Sequence, residues 1–218
     1  MKPQRRRILR ASGAAAVCIA FPAWAATRSL LPRMTDGPFY PSPAYRARAL
    51  DWDADLTTVR GPLPDGQPRP RATGQLLDLF GQVVDADGRP IDRAEVEIWQ
   101  CDAFGSYRHP RGAGDRVDDG FQGFGASVSD AQGVYRFRTI RPVPYPGRTP
   151  HIHVKVRHAA IGDVSSQLFV AGDPGNERDF LYRSLSPEQR SSVDLRLQRA
   201  PAGAPVMWLA ESALVVGR

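Results

Sequence analysis

Short runs of alternating apolar and polar residues, each closed by a glycine, proline or Asp-Gly turn, recur along this chain and confine it to a layered β fold. Val96 and Ile98 alternate with Glu95 and Glu97 in Ala94–Gln100. Tyr135 and Phe137 alternate with Arg136 and Arg138 in Val134–Ile140. Ile152, Val154 and Val156 alternate with His151, His153 and Lys155. Side chains two apart on a strand face one side, so a period of two marks half-buried strands. Leu76–Val84, Ser166–Val170, Asp194–Gln198 and Val206–Val216 read as further strands. Twenty glycines and twenty prolines suit the many turns this requires. The pattern predicts a mainly β chain: a β-sandwich with Pro/Gly-rich loops, an irregular N-terminal arm and one short helix. That helix has Ser186 as its cap, Pro187 in its first turn and Gln189 to complete a capping box, and it ends near Val193.

The N-terminal 25 residues have a different character. Arg5, Arg6 and Arg7 precede a small-residue and apolar run, and Ala23-Trp24-Ala25 supplies small residues for a cleavage point. Residues 1–25 are therefore expected to be a signal peptide, and the paired arginines point to the twin-arginine route, with an ordinary secretory signal as the alternative. The protein is expected to be exported, periplasmic or secreted. This segment also accounts for most of the formal charge of +6, since it holds five basic residues and no acid. The remainder is close to neutral, which argues against a nucleic-acid partner. No apolar run beyond it is long enough for a membrane anchor.

Cys18 lies within the signal and leaves Cys101 alone, so no internal disulfide is expected. Residues 26–72 are rich in proline and arginine and are expected to form an arm lying over the domain. Phe39, Tyr40, Tyr45 and Trp52 favour docking over disorder. Residues 73–218 form the β-sandwich domain.

The chemistry concentrates in Pro144–Val156, PYPGRTPHIHVKV. His151 and His153 project together from one strand face, a natural half of a metal site. On the spacing alone, two histidines on a polar strand face explain it as well. Tyr145 stands between two prolines that hold its backbone extended. Tyr107 follows the strand that ends at Gln100. Taken singly, a tyrosine is more often a core aromatic with a bonded hydroxyl.

Several long pieces, in order, resemble the intradiol ring-cleavage dioxygenases, of which protocatechuate 3,4-dioxygenase is a well-known member. They are Thr35-Asp36-Gly37-Pro38-Phe39-Tyr40, GQVVDADGRPIDRAEVEIWQCDAFGSY, GVYRFRTIRPVPYP and Arg148-Thr149-Pro150-His151-Ile152-His153. The resemblance implies one non-haem Fe(III) per chain, held by Tyr107, Tyr145, His151 and His153. It implies an active-site role for Arg148 and for Gln167 on the following strand, with Tyr145 also catalytic. Gly37, Pro38, Tyr40 and Arg148 are expected to border the substrate. The implied partners are a small catecholic molecule and O2. Both oxygen atoms would enter a cis,cis-muconate, with the ring opened between its hydroxyl-bearing carbons. Fe(III) is a hard cation and phenolate a hard anion, so this donor set suits ferric iron where thiolates would not. His109 and His158 match no motif and are expected to face solvent.

Two departures bear on substrate. The loop from Tyr145 to His151 is short, and Gly147 stands where protocatechuate enzymes carry an aromatic. The chain looks closest to the protocatechuate type and to small exported members; a homo-oligomer stays open. Two other classes compete. GQVVDADGRPIDRAEVEIW also resembles transthyretin-like sandwich modules that bind or scaffold, and a zinc or copper site built on His-x-His is the third. Neither needs both tyrosines.

Overall fold

The computed structural model describes residues 29–46, 51–60, 70–112 and 114–217. The signal expected over residues 1–25 lies outside the described residues. Among the described residues ten strands form two mixed sheets of five. In the first, β1 (Leu76–Val84) runs parallel to β9 (Trp208–Glu211) and β10 (Leu214–Val215) and antiparallel to β4 (Val134–Ile140), while β8 (Leu197–Arg199) pairs with β9. The second runs β3 (Phe124–Val128), β2 (Glu95–Trp99), β5 (His151–His158), β6 (Gly162–Val170), β7 (Asp194–Leu195).

The inward residues of each strand make the core. Leu77, Leu79 and Val83 from β1, with Tyr135 and Phe137 from β4, meet Val96, Ile98, Ile152, Val154 and Val156 from the second sheet. Each aliphatic so buried contributes roughly 1.5–3 kcal/mol. Gly81 of β1 cannot be replaced, because a Cβ there would fall 1.8 Å from the Ser212 carbonyl oxygen.

The outward face of the second sheet is not wet. His151, His153 and Lys155 are all buried, as are Glu97 and Trp99 across from them. The arm covers them. Leu31 N donates to Val215 O at 2.8 Å in the first sheet, and Met34 N donates to Ser165 O at 2.8 Å in the second. Glu97, which alternation assigns to a solvated face, is 1% exposed. It accepts from Arg46 Nη1 at 2.5 Å, Arg157 Nη1 at 2.9 Å and Tyr40 Oη at 2.7 Å. A buried carboxylate is tolerated because it is so paired.

The helix at the C-terminal end is α3 (Pro187–Val193), capped by Ser186 with both bonds of the capping box. It is not the lone helix expected. Two single turns also form, α1 (Pro43–Arg46) in the arm and α2 (Phe180–Arg183), the latter preceded by a 3-10 turn (Asn176–Arg178). Four-residue helices show no apolar periodicity. β3 lacked a signal too, since Phe124-Gly125-Ala126-Ser127-Val128 is short and glycine-containing. The Asp194–Gln198 run splits, β7 joining one sheet and β8 the other.

Candidate metal centre

β5 supplies two side chains to the site. Its register sets His153 opposite Trp99 of β2 and Gln167 of β6, and His151 opposite Phe169. The two imidazole Nε2 atoms converge to 3.3 Å. His151 Nδ1 lies 2.6 Å from the Thr149 carbonyl and donates to it, which leaves the lone pair on Nε2. Trp99 stacks on the His153 ring, centroids 4.7 Å apart at 13°. Burial, together with the nearby Arg148 cation, pushes His151 down to about 4 and His153 well below the usual range. Both rings are therefore neutral at pH 7, the form that ligates metals.

The two phenols arrive from loops. Tyr107 follows β2 and is 3% exposed. The loop that carries it is folded around Asp102, whose carboxylate accepts from the backbone of Phe104, Ser106 and Asp118. Tyr145 lies midway along the β4–β5 connection, where it opens a tight turn. Arg148 N donates to Tyr145 O at 2.9 Å, Pro146 is second in the turn and Gly147 third with φ of 84°. Proline followed by a positive-φ glycine is the preference of that turn.

The four rings are mutual neighbours. Tyr107 lies 5.4 Å from Tyr145 and 6.2 Å from His153, centroid to centroid, and Tyr145 lies 5.5 Å from His151. Among the described residues the buried Tyr107 hydroxyl meets no partner in good hydrogen-bond geometry, and the neighbouring Tyr145 phenol is at most a weak one. Burial, then Cys101 and Tyr145, hold the Tyr107 pKa well above 10. Burial also raises Tyr145, against the pull of Arg148. A buried, unpartnered hydroxyl costs about 1–3 kcal/mol. Two imidazole nitrogens converging beside such a phenol fit a hard, highly charged cation, which would satisfy all of them and ionise the phenols. Among the described residues no three His, Cys, Asp or Glu side chains gather as a metal site, and the rings beside the histidines are those of Tyr107 and Tyr145.

Arg148 closes one side. Its Nη1 is 3.4 Å from Tyr145 Oη, its Nη2 donates to Gln167 Oε1 at 2.6 Å, and its Nε donates to Asp179 Oδ2 at 2.8 Å. Gln167 is wholly buried and its Nε2 has no partner. The arm closes another side. Gly37 takes φ of 73°, and a Cβ on it would lie 3.3 Å from His153 Cε1. Pro38 is exposed, with its carbonyl 3.5 Å from Arg111 Nη2. Tyr40 turns its ring edge to Trp99 at 4.8 Å and its hydroxyl to Glu97. Phe39, which carries no motif signal of its own as a site residue, stacks on Tyr107 at 4.6 Å. Trp99, Asp179 and the exposed Phe180, 5.3 Å from the Arg148 guanidinium, also border the site without being expected there. Trp99 had a readable signal, since it shares strand parity with Glu95 and Glu97. His109 and His158 are half-buried rather than open, and His109 lies 5.9 Å from Phe39.

The dioxygenase family profile matches residues 41–203. The protocatechuate 3,4-dioxygenase beta chain of Burkholderia cepacia is 34% identical over 162 residues, 70% of this chain and 66% of that one. A catechol 1,2-dioxygenase of Acinetobacter baylyi is 33% identical over 127 residues, 50% of this chain and 40% of that one. The matches thus span less than two thirds of these relatives' own length. Among solved structures, the dioxygenase domain of a carbohydrate-binding fusion protein from Streptomyces sp. SirexAA-E superposes with a TM-score of 0.65 at 24% identity, covering 87% of this chain and 99% of that domain. The catechol 1,2-dioxygenase of Acinetobacter sp. ADP1 gives 0.61 at 25% identity, covering 86% and 63%.

Proposed function

The chain belongs to the intradiol dioxygenase family, and from that premise we propose that it inserts both atoms of O2 into a catechol-type diol and opens the ring between the hydroxyl-bearing carbons. The cofactor is a non-haem Fe(III) held by Tyr107, Tyr145, His151 and His153. When bound, Fe(III) supplies Lewis acidity and the positive charge that keeps both phenols ionised.

The residues divide the remaining labour. Tyr107 is buried beneath Phe39 and is the permanent oxygen donor. Tyr145 is half-exposed, and its phenolate is the base that accepts a proton from the incoming diol. Arg148, beside it, stabilises negative charge that develops on the substrate. Gln167 braces Arg148 through Oε1 and keeps Nε2 free as a donor. Gly37 leaves the space beside His153 that a side chain would fill. Residues 1–25 act as an export signal, so the enzyme works outside the cytoplasm.

One observation carries this reading: two imidazole nitrogens converge to 3.3 Å beside a buried phenol that, among the described residues, has no well-formed hydrogen bond. A scaffold module or a His-x-His zinc site would leave both tyrosines without a purpose. The test is reconstitution with iron. A broad visible tyrosinate-to-iron band, oxygen uptake with catechol, protocatechuate or hydroxyquinol, and a muconate product are expected. A colourless protein that takes zinc instead, and consumes no oxygen with any of the three, overturns the proposal.

A further inference from the structure

Asp179 takes no part in the chemistry above, yet it is among the most buried carboxylates in the protein, its side chain fully shielded from solvent. Its two oxygens serve different segments. Oδ1 accepts from the backbone of Leu181 at 3.0 Å and Tyr182 at 3.1 Å, capping α2. Oδ2 accepts from Arg148 Nε at 2.8 Å and Thr149 N at 3.1 Å. A single side chain therefore joins the residues entering β5 to the turn that follows β6.

The consequence falls on Arg148. A guanidinium is a rigid plane, and two anchored corners fix it. Nε is tied to Asp179 and Nη2 to Gln167, so Nη1 is the corner presented to Tyr145 Oη. The Arg148 side chain is 10% exposed, and little water is at hand to replace a lost partner. We propose that Asp179 is a positioning residue, which fixes the plane of Arg148 so that Nη1 meets the Tyr145 oxygen and the charge developing beside it. The effect on turnover rests on the ring-cleavage reading; the anchoring of Arg148 does not.

Two variants separate this role from helix capping. Asparagine and serine both cap helices well. In Asp179→Asn the Oδ1 cap survives while an amide N–H replaces Oδ2, so a donor faces the Arg148 and Thr149 donors. In Asp179→Ser the cap survives and nothing reaches Arg148. The first readout needs neither iron nor activity. Metal-free wild type and both variants are treated with phenylglyoxal, and the peptide carrying Arg148 is followed by mass spectrometry. Labelling several-fold faster in the variants is expected; an unchanged rate in a folded variant overturns the proposal. Asp179→Ser decides the matter if Asp179→Asn fails to fold.

The second readout is a cycle with Arg148→Lys. Alone, Asp179→Asn should lower kcat about tenfold to a hundredfold, as small misplacements at a reacting centre do, with KM little changed. In the Arg148→Lys background it should lower kcat no further. An equal fall in both backgrounds shows that Asp179 does not act through Arg148 and sinks the idea. Wild-type enzyme that turns over no diol would remove the ring-cleavage reading, and the labelling result would still judge the anchor.

Discussion

Arg148 Nη1 stands 3.4 Å from Tyr145 Oη, across a turn whose middle residues are Pro146 and Gly147. The contact joins the more exposed of the two phenols to a largely buried cation. Short loop length, rigid proline and positive-φ glycine bring the two together before any tertiary contact is made.

Arg148→Lys keeps the charge but cannot hold Asp179, Gln167 and Tyr145 at once. Loss of one donor aimed at developing charge lowers kcat about 10²–10³-fold. The expected signature is that fall in steady-state oxygen uptake, with the visible iron band retained. Loss of the band as well would show that Arg148 holds the metal site together rather than serving turnover.

Tyr107→Phe should have opposite effects on the metal-free and iron-loaded protein. Without metal, the variant loses a buried hydroxyl that has no well-formed hydrogen bond among the described residues. Removing that penalty of about 1 kcal/mol raises Tm by about 2–4 °C in a chain of this size. With iron, one phenolate is gone, so the band shifts or weakens and iron is bound less tightly. Melting curves with and without iron check both halves.

Glu97→Gln should loosen the arm. The carboxylate is buried between Arg46 and Arg157, and the neutral amide leaves two cations facing each other. Breaking a buried pair costs several kcal/mol, reduced to about 2 kcal/mol here because the arginines are partly exposed. Limited proteolysis should then cut within residues 29–46 sooner than in wild type, at a protease dose that leaves the sandwich intact.

The contribution of Asp179 should depend on acid in a defined direction. Burial alone would push its carboxyl up, but Arg148 and the backbone N–H groups of Thr149 and Tyr182 hold it below the ordinary range. A depressed carboxylate stabilises the fold at pH values above its unfolded pKa of about 3.9, and that contribution fades as pH falls through the lower folded value. The stability gap between wild type and Asp179→Asn should be constant near neutrality and shrink below about pH 4. Denaturation curves from pH 3 to 7 in the metal-free protein, about half a unit apart, follow it.

What the sequence made legible was whatever repeats locally. Val134–Ile140 forms as read, because Tyr135 and Phe137 share one face and the arginines the other. Ser186, Pro187 and Gln189 start α3 through bonds confined to four residues. The histidine pair was legible for the same reason, since strand parity alone sets both on one side. Glu97 was misread because alternation says which side a residue faces and nothing about what lies over that side; the arm covers it from more than fifty residues away. Asp179 went unseen because its partner, Arg148, is on another strand connection and α2 is one turn long. Trp99 shows both limits. Its parity was visible, but its stack on His153 depends on the pairing of β2 with β5.

The Phe39–Tyr107 stack carries a last implication. Both sheets close without the arm, but the ring over Tyr107 does not come from either of them. A chain trimmed behind Phe39 would lose the ring that covers that phenol. Water would then solvate the hydroxyl directly, its proton would exchange freely with bulk, and a dry oxygen would become that of an ordinary hydrated tyrosine.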